Sequence, residues 1–443
     1  MHAATRGLAT FRHGVHPDER KGATEGLPIE RMRFVSRYVL PLGQHIGRPA
    51  KPIVAAGDGV TRGQRIASAN GFISTALHSP VTGTVEAIEL RPHPGGKDAL
   101  SIVIKADPFA DQDHIAHCKP FEGSLPSAEL VSRVQAAGIV GLGGAAFPSH
   151  VKLAVPEGKV VRFIVLNGCE CEPYLTCDHR IMVEQPEAVL RGLHLLMLQT
   201  GAERGYIGIE SNKPDAIAAL RQANHDPNVE VIALTVKYPQ GAEKMLIDAI
   251  FKREVPAGRL PLDLEMVVNN VGTAAAIAEL HDNGTPLIER VVTVTGDGIK
   301  RPANVLVPLG TPLTALLEHC GGLLPGVEQV ILGGPMMGSA LKRLDVPVIK
   351  GVSGVLALRK ATPVRQELPC IRCGRCLEAC PMFLNPSRLQ ALVRVERGEG
   401  LKARHMLDCF ECASCSYVCP SHIPLVQMMR VGKSIVRQWE AEQ

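Results

Sequence analysis

Aromatic residues are scarce: one tryptophan, five tyrosines and ten phenylalanines in 443 residues. Nucleic-acid platforms stack bases on aromatic rings and track the backbone with a basic stripe. The chain has neither, because 48 lysines and arginines stand against 44 aspartates and glutamates. No nucleic acid is therefore expected as a partner. No window reaches the roughly eighteen uninterrupted apolar residues that a spanning helix needs, so no transmembrane segment of its own is expected. The first residues, Met1-His2-Ala3-Ala4-Thr5-Arg6, lack the apolar stretch of a signal peptide. Disulfides need an oxidising compartment, and Cys118, Cys169, Cys171, Cys177 and Cys320 show no framework pattern. Length bounds the chain at about two to four domains.

What the chain does have is two cysteine runs of one kind. The first is Cys370-Ile-Arg-Cys373-Gly-Arg-Cys376-Leu-Glu-Ala-Cys380-Pro381, and the second is Cys409-Phe-Glu-Cys412-Ala-Ser-Cys415-Ser-Tyr-Val-Cys419-Pro420. Three thiolates two residues apart let one tight loop wrap three corners of a cubane cluster. The fourth, three residues on at a helix start, points at the neighbouring cluster. One [4Fe–4S] cluster is thus assigned to Cys370, Cys373, Cys376 and Cys419, and the other to Cys409, Cys412, Cys415 and Cys380. Zinc would call for two thiolate pairs and a longer spacer.

The remaining chain divides by composition. After a polar start with the compact group Phe11-Arg12-His13-Gly14-Val15-His16-Pro17, read as a turn on a neighbouring domain, residues 31–107 carry valine-rich strands and glycine turns. This punctuation resembles the lipoyl-carrier barrel. The hairpin Asn70 to His78 holds no lysine for a prosthetic group, which predicts a structural or docking module. Residues 108–126 read as a linker. Residues 127–286 alternate helices with strands such as Val160–Leu166, a continuous apolar run typical of a parallel sheet. Residues 287–345 suggest a β-grasp domain, and residues 362–430 hold the cysteine runs. Between those runs, Asn385–Leu407 reads as a basic helical stretch, and Pro424–Trp439 as an amphipathic tail helix.

Three loops of the α/β domain carry chemistry. Gly141-Leu-Gly143-Gly144-Ala-Ala-Phe147-Pro148 offers amides to an anion, with Lys152 as a nearby point charge for phosphate. It is not the dinucleotide fingerprint G-x-G-x-x-G. Asn167-Gly-Cys169-Glu170-Cys171-Glu172-Pro-Tyr174 follows the buried strand, where open α/β sheets bind ligands. Val268-Asn269-Asn270-Val-Gly-Thr273 precedes a helix and offers a cap.

With Tyr238-Pro-Gln-Gly-Ala242-Glu243 between the second and third, these loops resemble the flavin-bearing subunit of respiratory complex I. The arrangement of barrel first and two ferredoxin runs last is similar to the C component of the Rnf electron-transport complex. The fold this implies is α/β multidomain: barrel-sandwich domain, Rossmann-like FMN/NADH domain, soluble-ligand-binding β-grasp domain and helical two-[4Fe–4S] ferredoxin-type domain. The resemblance implies FMN contacts at Gly141, Gly143, Gly144, Lys152, Asn167, Asn269 and Asn270, with Glu170, Tyr238 and Glu243 nearby. It implies a nicotinamide wall at Phe147 and Glu172, with Arg259 toward the dinucleotide. Cys169, Cys171 and Ala242 depart from the complex I pattern, which has aspartate, glycine and glutamate there. Cys169-x-Cys171 with Cys177 as a metal site lacks a fourth ligand in sequence.

The expected function is that of a peripheral NADH:ferredoxin-type oxidoreductase subunit at the cytoplasmic face of a bacterial inner membrane. It works with NAD(H), FMN and two [4Fe–4S] clusters, beside other Rnf subunits and, indirectly, ferredoxin. Two alternatives stand: a soluble corrinoid reductase of propanediol-utilisation type, and an electron carrier without a working flavin site.

Overall fold

A computed structural model describes residues 8–113, 115, 127–360 and 366–443. The expected linker 108–126 and Cys118 thus fall largely or wholly outside the described residues, as do the first residues of the expected cluster domain.

The central layer is a four-stranded parallel sheet. Its order is Val229–Leu234, Arg204–Glu210, Phe163–Asn167, Met266–Asn270. Ile164, Val165 and Leu166 are fully buried, as a strand covered by helices on both faces requires. The helix Pro186–Thr200 starts with proline and ends at Gly201, whose φ of 73° makes the left-handed cap. Sequence periodicity passed over this helix and its predecessor, Cys177–Glu184. Val189, Leu190, Leu193, Leu195 and Leu196 form so continuous an apolar surface that one amphipathic stripe does not stand out. The helix packs on Val271–Asn283 at close range: a Cβ placed on Gly192 would lie 2.0 Å from the Ala274 carbonyl oxygen.

The N-terminal barrel pairs a four-stranded sheet with a three-stranded one. Tyr38, Leu40, Ile66, Leu77, Ile102 and Ile104 fill its core, each apolar side chain contributing about 1.5–3 kcal/mol by burial. The lysine-free hairpin docks on the α/β domain. His150 Nε2 lies 2.7 Å from the Phe72 carbonyl oxygen, and Gln135 Nε2 donates to the Gly71 and Ser74 carbonyls.

The third unit is a six-stranded mixed sheet, and two of its strands correct the expected boundaries. Gly354–Leu358 lies past residue 345, yet it is central, pairing with Glu289–Thr295 and Gln329–Leu332. Ile29–Arg31 pairs with Asn304–Leu306 instead of entering the barrel, so the barrel's first strand is Arg37–Pro41. Both segments are short and flanked by irregular chain, and their partners are remote in sequence. Local pattern carries no trace of either pairing.

The C-terminal unit is helical. The basic stretch resolves into Pro386–Val393, Gly398–Lys402 and the 3₁₀ turn Met406–Asp408, packed on the long helix Leu425–Ala441 through Leu389, Val393, Leu401 and Met429. Residues 11–15 lie between this unit and the α/β domain. Val15 pairs with Tyr238, and the Gly14 amide donates to Ala379. No helix among the described residues is long and apolar enough to cross a membrane.

Candidate functional site

The chemistry-bearing loops meet at the carboxyl ends of the parallel strands. Asn167 and Asn270 are register partners across the central ladder. The glycine loop crosses above them. Gly143, Gly144 and Ala145 are exposed, Gly144 has a φ of 109°, and a Cβ on Gly143 would lie 3.5 Å from Asn270 Nδ2. Such a loop keeps its amides free of side-chain cover, which suits close approach by an anionic ligand. Phe147 is half-buried at its end, and its carbonyl accepts from the Gly141 amide at 2.8 Å.

Several expected contacts hold the loops to one another. Lys152 pairs with Glu243 and donates to the Val268 carbonyl at 2.9 Å. Asn167 donates to the Gly241 carbonyl at 2.7 Å, and its oxygen accepts from the Cys169 amide. Glu170, at a φ of 46°, accepts from the Asp178 and His179 amides, so its carboxylate caps the helix Cys177–Glu184. Asn270 caps Val271–Asn283 through the Gly272 and Thr273 amides and donates to Asp178 Oδ2 at 2.6 Å. Glu172 accepts from the Met336 and Met337 amides, which ties the polar loop to the β-grasp unit. Arg259 stands apart, in the exposed turn beside Asp263.

Among the buried side-chain groups left without a hydrogen-bond partner, one lies on the third chemistry-bearing loop. Asn269 is 4% exposed and its Nδ2 has no hydrogen-bond partner. A buried amide donor without an acceptor costs about 1–3 kcal/mol. Together with the open glycine loop and the adjacent lysine, it fits a polar, phosphate-bearing ligand such as FMN.

Charges that the sequence did not mark lie beneath the polar loop. Lys21 is buried and donates to the Glu170, Glu172 and Leu175 carbonyls. Lys213 is buried and donates to the Cys169 carbonyl at 2.6 Å and to Glu210. Burial, then the neighbouring Lys213, lowers the Lys21 pKa. Asp178 is pushed up to about 7 by burial and then by Glu170. No motif marks these residues, because their partners are backbone carbonyls far along the chain.

The thiols sort by environment. Cys169 and Cys171 are held above the usual thiol range, chiefly by burial, and Cys171 Sγ accepts from the Gly241 amide. Cys177 instead groups with Glu170 and Asp178, with ligand atoms within 4.8 Å of one another. Helix amides and Asn270 already occupy those carboxylates, so the trio is a hydrogen-bonded cap.

The two cysteine runs interleave. A small cavity is lined by Cys380, Cys409, Cys412 and Cys415, with Leu384, Val426 and Met429 around them. A second is lined by Cys370, Cys373, Cys376 and Cys419. Each unites three sulfurs of one run with the fourth of the other. Burial raises Cys380 to about 11, a penalty that a bound metal offsets by stabilising the thiolate. Four soft donors around one cavity fit an iron–sulfur cluster.

The α/β domain meets the first of these cavities directly. Tyr238, 1% exposed, donates its hydroxyl to the Cys412 carbonyl at 2.8 Å. Val15, Ala379, Phe410 and Met336 pack around that contact.

Fold and site together define a modular iron–sulfur flavoprotein, and comparison with known proteins agrees. Residues 134–279 match the Nuo51 FMN-binding domain, 9–108 the RnfC barrel sandwich hybrid domain, 291–340 the SLBB domain and 368–423 a 4Fe-4S dicluster domain. The C component of the proton-translocating ferredoxin:NAD(+) oxidoreductase complex of Clostridium ljungdahlii is 45% identical, over 96% of this chain and 94% of that one. The C component of the Na(+)-translocating complex of Acetobacterium woodii is 45% identical, over 96% of each. Among solved structures, an air-oxidized NAD+-reducing [NiFe]-hydrogenase aligns with a TM-score of 0.48 at 21% identity, covering 71% of this chain and 62% of that one. The chain belongs to the family of C components of ion-translocating ferredoxin:NAD(+) oxidoreductase complexes.

Proposed function

We propose that the protein is the nicotinamide-side electron-transfer subunit of such a complex, seated peripherally at the cytoplasmic face of the membrane. The observation that carries this reading is the hydrogen bond from Tyr238 to Cys412. It joins the loop cluster of the α/β domain to a four-cysteine cavity with no solvent layer between. Bound FMN supplies the exchange between two-electron and one-electron chemistry, and [4Fe–4S] clusters supply one-electron carriage.

The chain's own residues position and exclude. The amides of Gly143 and Gly144 and the Lys152 ammonium receive the flavin phosphate, on a loop that Gly141 closes through its bond to Phe147. The Asn269 amide finds its acceptor on the flavin, beside Asn167 and Asn270. Glu170 and Lys21 hold the loop that carries these contacts, while Glu243 keeps Lys152 extended in the ligand-free chain. Phe147 and Glu172 wall the nicotinamide side, while Arg259, in its exposed turn apart from the loops, would meet only the outer part of the dinucleotide. Tyr238 shields the passage to Cys412. On this geometry the Cys380, Cys409, Cys412, Cys415 set is the nearer cluster, and the Cys370, Cys373, Cys376, Cys419 set relays outward.

The test is anaerobic purification followed by addition of NADH. About eight irons and one FMN per chain are expected, with bleaching of the cluster absorbance on mixing. A colourless preparation, or a coloured one that NADH leaves unchanged, would overturn the reading.

A further inference from the structure

The two cysteine loops are internal repeats with different surroundings. Cys370-Ile371-Arg372-Cys373-Gly374-Arg375-Cys376 corresponds to Cys409-Phe410-Glu411-Cys412-Ala413-Ser414-Cys415. Their backbones agree: φ is 55° at Arg372 and 64° at Glu411, 80° at Gly374 and 63° at Ala413. The second loop is covered. Phe410 packs beside Val15, Tyr238 and Met336, the Cys412 carbonyl accepts from Tyr238, and Glu411 is paired with Arg430 and Lys433.

The first loop is bare. Ile371 is 68% exposed and Leu368 49%, and Cys370 and Cys373 are exposed as well. Arg372 and Arg375 are exposed, with no side-chain hydrogen bond or ion pair among the described residues. Of the acids near this run in sequence, Glu367 is paired with Arg394, and Glu378 is exposed.

We propose that this bare loop docks an acidic one-electron carrier protein, as its twin docks the α/β domain. An apolar group covers Ile371 where Tyr238 and Val15 cover Phe410. A donor reaches the Cys373 carbonyl, and carboxylates meet Arg372 and Arg375. The inference rests on the relay order proposed above. The twin loop serves the same four-thiolate group with Glu411 and Ser414 in place of the arginines. Unpaired rim charges of one sign steer a partner of the other and fix its register.

The holoprotein is titrated without oxygen against an acidic 2[4Fe–4S] ferredoxin as probe, at low and high salt. Wild type is compared with Arg372→Glu/Arg375→Glu and the neutral Arg372→Gln/Arg375→Gln. Wild type should bind, and more weakly as salt rises. The glutamate pair should weaken binding by about tenfold or more and flatten the salt dependence, and the glutamine pair by about threefold. Iron content, cluster EPR and NADH-dependent bleaching should stay at wild-type levels. Should the glutamate pair lose iron, the glutamine pair decides. Equal affinity across the variants, or binding to phosphatidylglycerol vesicles with none to the carrier, overturns the proposal. If NADH fails to bleach wild type while carrier binding stays charge-dependent, the electron-transfer reading fails and the docking surface stands.

Discussion

Tyr238 is where the flavin domain's polar loops and the cluster unit become one structure. Its hydroxyl polarises the Cys412 peptide, and hydrogen bonding around a cluster's sulfurs sets its potential. Tyr238→Phe removes one hydrogen bond worth about 1 kcal/mol. The nearer cluster should then titrate lower by on the order of tens of millivolts, with iron content unchanged; an unshifted potential in redox-poised EPR would remove this role. Lys152 gives a second measurement. Lys152→Gln deletes the ammonium expected at the flavin phosphate, so flavin affinity, read by fluorescence, should fall roughly tenfold. At this scale the cysteines and loop residues were legible, because ligand spacing and polar loops are local patterns. The caps at Glu170 and Asn270 and the buried Lys21 and Lys213 were not, since what they bind is backbone brought in by the fold.

Between elements, two contacts are sharp enough to test. The helix Pro186–Thr200 lies against Val271–Asn283, whose first turn borders the candidate flavin site. Gly192→Ala puts a methyl against the Ala274 backbone, so stability should fall by about 1–3 kcal/mol, seen as a lower Tm. An unchanged Tm would mean the helices part without cost. The other contact is Lys350, fully buried where barrel, α/β domain and β-grasp unit meet, its amine donating to the Ala76 and Gly138 carbonyls at 2.9 and 2.6 Å. Burial lowers it from the ordinary 10.5 to about 7. Between those values the unfolded chain binds a proton that the folded chain lacks, so stability rises with pH across that window. Lys350→Met lacks this gain, and the Tm advantage of wild type over the variant should widen from pH 7 to about 9. A constant difference would contradict the shift. Element types were largely legible from apolar period and glycine punctuation. Sheet membership was not: Ile29–Arg31 and Gly354–Leu358 join partners hundreds or tens of residues away.

Across the whole molecule, the proposed relay order makes two cysteine variants unequal. Cys376→Ala should remove about four irons and the outer cluster, while NADH still bleaches the remaining one. Cys412→Ala should strand the outer cluster, which dithionite reduces and NADH does not. Stopped-flow traces with equal NADH bleaching in both would rule out a series order. The four-unit organisation could be read from composition, because each unit has its own texture of valine, glycine and cysteine. The order of carriers could not, since it depends on which cysteine loop the α/β domain covers.

The strip at residues 11–15, wedged between the α/β domain and the cluster unit, bears on how the molecule is put together. It is translated long before Ala379 and Cys412, its neighbours in the finished structure. The seam that unites donor and wire therefore closes late, after both cysteine loops have left the ribosome.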